Sequence, residues 1–190
     1  MDLSTLLRRC RKGDELAWEA LVSQFQSRVY GVAYHYVGNS EDARDLAQEA
    51  FIRIFQHLTA MPEAEGFLPW MIRITRNICI DQLRRKKSRP PAWDIPVDEM
   101  FDLQAAGKSP EEQCADTSRK RLVYKALQEL SELNREIILL KEIQGLALDE
   151  IASMLGVPLG TVKSRSNRAR TELAQKLTAI SSEFAGSPAN

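Results

Sequence analysis

The sequence predicts an all-α fold: two small helical domains joined by a flexible acidic linker. Three observations carry this reading. Apolar residues recur at helical period through both halves, and no stretch shows the alternation of a strand. Pro90-Pro91 stops the first half and opens a segment with little periodicity. The charge divides in the same places. Residues 1–90 hold 14 Lys+Arg and 11 Asp+Glu (net +3), residues 91–118 hold 1 and 7 (net −6), and residues 119–190 hold 11 and 8 (net +3). The 190-residue chain is therefore formally neutral although its two ends are basic. Nucleic acid responds to local clusters of cations, so a neutral total does not exclude it as a partner.

Residues 1–89 read as four helices. Leu3, Leu6, Leu7 and Cys10 predict a short first helix that ends near Gly13. Asp14 is placed to cap the second, whose stripe runs through Trp18, Leu21, Val22, Phe25, Val29, Val32 and Ala33 to a stop at Gly38-Asn39. Ser40 is expected to cap the third, with Leu46, Ala47, Ala50, Phe51, Ile54, Phe55 and Leu58 facing inward. Residues 61–66, MPEAEG, form a loop. Phe67 opens the fourth helix, apolar at Phe67, Trp70, Met71, Ile74 and Ile78, which runs into RRKKSR at 84–89. Trp70 is expected in the core. Five cations in those six residues exceed what a helix C-terminus needs and point to phosphate contact.

Residues 90–112 read as the linker. Its apolar residues Trp93, Ile95, Val97, Met100, Phe101 and Leu103 suit either docking on a partner or loose packing on the chain itself. Residues 113–180 are helical again. Ser109 or Ser118 caps the start, and Leu122, Ala126, Leu127 and Leu130 form a stripe. EIILLKEI, after Asn134, is expected to form a compact apolar helix ending at Gly145. Residues 181–190 form a polar, frayed tail.

The segment 146–170, LALDEIASMLGVPLGTVKSRSNRAR, has the build of a helix-turn-helix. Leu148, Ile151, Ala152 and Leu155 form one apolar stripe, with Ala152 small where two helices approach. Gly156 suits a left-handed stop, and Val157-Pro158 blocks continuation. Gly160-Thr161 restarts the helix with Thr161 as its expected N-cap. Val162, Ala169 and Leu173 face inward, Ser164, Asn167, Arg168 and Thr171 roughly opposite, with Lys163 and Arg165 on the flanks. Between Thr161 and Arg170 stand four cations and no acid. Such a helix lies in a DNA groove; the alternative is an amphipathic hairpin with a solvated basic face.

Other chemistries lack their residues. Cys10, Cys79 and Cys114 are far apart and form no CxxC spacing, and His35 and His57 lie near no cysteine in sequence, so free thiols are expected and no metal or cofactor. No P-loop or nucleophile elbow is present, so no enzyme is expected. No apolar run approaches the ~18 residues of a membrane span, and MDLSTLLRRCRKGDE lacks the apolar core of a signal peptide. A cytoplasmic protein without membrane insertion is the expectation.

The run LQELSELNREIILLKEIQGLALDEIASMLGVPLGTVKSRSNRARTEL resembles region 4 of sigma factors, the specificity subunits of bacterial RNA polymerase. DARDLAQEAFIRIF and FLPWMIRITRNICIDQLRR resemble sigma region 2. With only these regions and a short connector, the chain resembles the extracytoplasmic function (ECF) sigma factors over about residues 10–89 and 112–177. The resemblance implies a protein that binds core polymerase at its clamp coiled coil and flap, recognises promoter DNA and is held inactive by an anti-sigma factor. It implies polymerase contacts at Asp42, Asp45, Leu46, Gln48, Glu49, Phe51 and Arg53. It implies recognition and melting of the −10 element by Glu65, Phe67, Arg73, Arg76, Asn77, Arg84, Arg85, Lys86 and Lys87. It implies −35 recognition by Thr161, Lys163, Ser164, Arg165, Asn167, Arg168 and Arg170. Glu63 and Glu65 put acid in a base-capturing loop, where a carboxylate can accept from a cytosine amino group. The family often has an apolar residue where Ser166 stands, a larger ring or His at Asn167, and Leu-Pro at Leu130-Ser131. Ser166 is expected to weaken inner packing and Asn167 to alter base preference. The acidic linker falls where the family threads the polymerase's active-site cleft and RNA exit path, as a mimic of RNA.

Three other readings share some of these features. A stand-alone helix-turn-helix activator would need an N-terminal receiver or ligand domain with strands, which residues 1–89 do not suggest. An enzyme or RNA-binding module would need a convergent polar pocket. A degenerate sigma-like regulator would bind polymerase without initiating.

Overall fold

The computed structural model divides into two compact units, residues 1–104 and 105–190. It describes residues 2–60, 64–86, 122–123 and 125–185, the last five by their backbone alone. The expectations for Glu63, Lys87, Arg89, the linker 90–112, Ser109, Ser118, Cys114 and residues 186–190 lie outside the described residues, whereas residues 181–185, expected to begin a frayed tail, continue the last helix. Among those described, every regular element is helical.

The first unit contains α1 (Leu3–Arg11), α2 (Glu15–Val37), α3 (Ser40–His57) and α4 (Phe67–Arg85). Two 3₁₀ turns, Leu58–Ala60 and Ala64–Gly66, lie between α3 and α4. The long α2 packs against α1, α3 and α4, and α3 also packs on α4. Leu7, Leu21, Val29, Tyr34, Ile54, Phe67, Met71, Ile72 and Ile78 fill the interior. Each such aliphatic or aromatic side chain contributes about 1.5–3 kcal/mol on burial.

The helix ends follow local chemistry. Asp14 caps α2 by accepting from the Ala17 amide at 3.1 Å, and Arg9 Nε donates to its other oxygen at 2.7 Å. Gly38 ends α2 in the left-handed region, φ 70°. The cap of α3 is Asn39 rather than the expected Ser40. Asn39 keeps an extended backbone, and its Oδ1 accepts from the Asp42 amide at 2.8 Å, whereas Ser40 is already the first helical residue.

The second unit contains α5 (Glu132–Ile138), a π-helical turn (Leu139–Ile143), α6 (Leu148–Leu155) and α7 (Leu159–Ala185). Its interior includes Ala126, Leu127, Leu130, Ile137, Ile138, Leu140, Ile151, Met154, Val162 and Ala169. Arg135 donates to the carbonyls of Leu127, Gln128 and Leu130 at 2.9, 2.7 and 3.0 Å. It thereby satisfies the end of the helical stretch at 125–128.

EIILLKEI is not the uniform α-helix expected. The Gln144 amide bonds to the Leu139 carbonyl at 3.0 Å, five residues back. Ile137, Ile138, Leu139 and Leu140 are all buried, yet four consecutive positions fan over about 300° at ~100° per residue. The segment is therefore enclosed on most of its sides.

Candidate nucleic-acid interface

The helix-turn-helix consists of α6, a turn at Gly156 and α7. Gly156 takes φ 67°, and the Val157 amide donates back to the Ala152 carbonyl at 3.1 Å. Thr161 is not the N-cap. The helix already begins at Leu159, and the Pro158 carbonyl accepts from the Thr161 and Val162 amides at 2.9 and 3.1 Å. Proline loses nothing here, because a helix start needs the carbonyl and not the N–H.

Three sides of α7 separate clearly. Val162, Ser166 and Ala169 are buried against the unit. Lys163, Ser164, Asn167 and Arg168 form an exposed row on the far side. On the flanks two cations are tied down: Arg165 Nη1 reaches Asn134 Oδ1 at 3.4 Å, and Arg170 Nη2 donates to Glu142 Oε1 at 2.8 Å. Thr161 is half-buried. The outer row can hold phosphates and offer donors and acceptors to base edges. Ser166 does not leave a loose contact as expected. It is 1 % exposed, and its hydroxyl accepts from Lys141 Nζ at 3.4 Å, so the polar atom is paired inside.

In the first unit, α4 exposes Arg73, Asn77 and Arg84 along one flank, with Arg85 and Lys86 exposed at its end and Arg76 half-buried. Arg84 lies 3.9 Å from Asp81, and Lys86 pairs with Asp42 across the unit. Glu65 is exposed on the turn that precedes α4. Phe67 differs from the expectation that it meets DNA. It is 0 % exposed and packs edge-on against Phe25 at 5.1 Å, with half-buried Trp70 6.1 Å away. As the first residue of α4 it points toward α2, and burial outweighs any gain from exposure.

On α3, Asp45 and Gln48 are exposed. Leu46, expected to contact a partner, is 4 % exposed and belongs to the interior. Asp42 pairs with Lys86, Glu49 pairs with Arg53, and half-buried Phe51 lies 6.5 Å edge-on from Trp18. Two residues outside the expected set complete the open face: Ile52 and Phe55, 52 % and 56 % exposed. Phe55 was expected to point inward; Trp18 instead holds it at the rim, ring centres 5.0 Å apart. At ~100° per residue Ile52 falls between Asp45 and Gln48, so helical spacing already carried the signal.

Both thiols among the described residues are free and buried. Burial, then the Glu49 carboxylate, pushes Cys79 up to about 12. Burial and the nearby Asp14 also raise Cys10. No helix among the described residues is long and apolar enough to cross a membrane, and no group of His, Cys, Asp and Glu there could hold a metal ion.

A helix-turn-helix with a cationic outer row, carried with a second helical unit that has its own basic end, defines a DNA-reading transcription factor. The comparisons with known proteins sharpen the class. Residues 21–89 match "Sigma-70 region 2" and residues 120–173 match "Sigma-70, region 4". The chain is 30 % identical over 182 residues to the ECF RNA polymerase sigma factor SigW of Bacillus subtilis, covering 93 % of this chain and 97 % of the relative. It is 32 % identical over 177 residues to the ECF RNA polymerase sigma-E factor of Escherichia coli K12, covering 90 % and 92 %. The chain belongs to the ECF sigma factors of the sigma-70 family. As such it is an RNA polymerase sigma factor, which binds core polymerase and directs initiation at specific promoters. Among solved structures, CnrH, in complex with the cytosolic domain of CnrY, shares the fold with a TM-score of 0.64 at 23 % identity, covering 94 % of this chain and 99 % of that one. RpoE from Bartonella quintana, in complex with the anti-sigma factor NepR, gives 0.61 at 22 %, covering 84 % and 96 %.

Proposed function

We propose that this sigma factor divides its work among three surfaces. The open face of α3, Asp45, Gln48, Ile52 and Phe55, docks on the clamp coiled coil of core polymerase. Two exposed apolar side chains among polar ones suit a reversible interface. The flank of α4, with Arg73, Asn77, Arg84 and Arg85, together with Lys86 and the next residue in sequence, Lys87, holds the separated strands of the −10 element, cations on phosphate. The outer row of α7 reads the −35 element, and the second unit also meets the polymerase flap. The buried Leu46 and Phe67 support these surfaces from behind. Residues 1–89 and 113–180 are the two working domains, joined by the acidic tether 90–112. The protein acts in the cytoplasm, without catalysis of its own, and an anti-sigma factor covers it when inactive.

The observation that carries this reading is the outer row of α7: Lys163, Ser164, Asn167 and Arg168 are exposed together on the second helix of a helix-turn-helix. Its test is selection of promoter DNA. The full chain assembled with core polymerase should enrich a defined upstream motif from a random duplex library. Lys163→Ala with Arg168→Ala should abolish enrichment while leaving binding to core intact. Enrichment of the same motif by the double variant contradicts the assignment.

A further inference from the structure

The two flanking cations of α7 are held differently from its outer row, and the restraint on Arg170 comes from the π-helical turn. Arg170 Nη2 lies 2.8 Å from Glu142 Oε1, and the same oxygen lies 3.5 Å from Lys141 Nζ. Lys141 in turn reaches the buried Ser166 hydroxyl on the inner side of α7. Two consecutive residues of the turn therefore both address α7. Adjacent helical positions point about 100° apart, and the long Lys141 and Glu142 side chains each reach this one helix. The Arg170 and Glu142 side chains are 55 % and 45 % exposed, so the pair is open to solvent.

We propose that Glu142 is a positioning residue for DNA recognition, holding Arg170 off the phosphate backbone so that α7 binds through its outer row. The inference rests on α7 being the DNA-reading helix. Each phosphate held by a cation adds about 0.9 to the dependence of log affinity on log salt, without regard to sequence. Released, Arg170 would join Lys163 and Arg168 as a third unrestrained cation and raise affinity for every duplex alike. By neutralising Arg170, Glu142 limits that sequence-independent share and leaves selection to Lys163, Ser164, Asn167 and Arg168.

The test uses the full chain assembled with core polymerase, on a promoter duplex and a scrambled duplex of equal length, titrated in salt. Glu142→Gln should steepen the salt slope by about 0.9 on both duplexes. That is about a 3.5-fold larger loss of affinity between about 50 and 200 mM salt. Arg170→Gln alone should leave the slope unchanged, because the wild-type guanidinium touches no phosphate. The double variant should return to the wild-type slope. A wild-type slope in Glu142→Gln, or a steeper slope that persists in the double variant, overturns the role. Flattening by Arg170→Gln overturns it independently, even where Glu142→Gln folds poorly. Lys163→Gln and Arg168→Gln should each flatten the slope. If neither does, the reading of α7 fails and the inference with it, a result distinct from a failure of Glu142 alone.

Discussion

Lys86 Nζ, just beyond α4, donates to both carboxylate oxygens of Asp42 in the first turn of α3, at 2.9 and 2.8 Å. The pair ties the end of the proposed −10 surface to the start of the helix proposed to meet polymerase. These hydrogen bonds from Lys86, then one from Asn39, hold the Asp42 carboxyl below the usual carboxylate range.

A depressed carboxylate stabilises the fold above its unfolded pKa, near ~3.9, and that share is lost as pH falls through the lower folded value. Both side chains are partly exposed, so the pair contributes at most about 1 kcal/mol. Asp42→Asn should lower the stability of the first unit by that much or less at pH 7. The difference from wild type should shrink as pH falls below ~4. Urea unfolding followed by tryptophan fluorescence suits this, since Trp18 and Trp70 both lie in the first unit.

Docking and stability should separate on α3. Ile52→Glu with Phe55→Glu should abolish binding to core polymerase at a cost in stability of about 1–2 kcal/mol, most of it the lost Trp18–Phe55 contact. Leu46→Ala should cost about 2–5 kcal/mol through the cavity it leaves. Its binding to core, measured below its unfolding transition, should stay near wild type. Affinity titration against core polymerase beside urea unfolding checks both; retained binding by the charged double variant refutes the docking face.

A similar contrast applies to α4. Phe67→Ala removes a ring in contact with Phe25 and should cost about 3–5 kcal/mol. Arg73→Ala and Arg84→Ala should leave stability nearly unchanged while reducing strand opening. Permanganate reactivity of promoter thymines reports the opening. Loss of opening in Phe67→Ala but not in the arginine variants would return Phe67 to the DNA.

The helices, their stops and the helix-turn-helix were legible because each rests on local chemistry: helical spacing, Asp14 as a cap, and left-handed Gly38 and Gly156. What escaped was decided by neighbours. Asn39 and Ser40 are both good caps, and backbone geometry chose between them. Phe55 looks like one more member of an apolar stripe until Trp18 holds it at the surface. Leu46 and Phe67 carry functional expectations by resemblance, yet their own hydrophobicity placed them inside. The Glu142–Arg170 pair joins residues 28 positions apart through a π turn that α-helical spacing does not anticipate.

The thiol at Cys79 gives a prediction of opposite sign to that at Asp42. Its raised pKa, about 12, means the neutral thiol is favoured in the folded state. The stabilisation is fully present below the unfolded value near ~8.5 and is lost as pH rises toward 12. Native protein at pH 8 should leave Cys79 unalkylated by iodoacetamide, and protein unfolded in urea should label it fully. Rapid native labelling, located by peptide mass mapping, contradicts its burial.

Run-off transcription reads out whether one chain couples polymerase docking on α3 to promoter reading on α7. Purified chain and core polymerase would be presented with a library of genomic fragments. The prediction is discrete transcripts from a subset of promoters, lost both with Ile52→Glu/Phe55→Glu and with Lys163→Ala/Arg168→Ala, only the first pair losing core binding. Core binding without promoter-specific transcripts, or transcripts unchanged in either double variant, would contradict it.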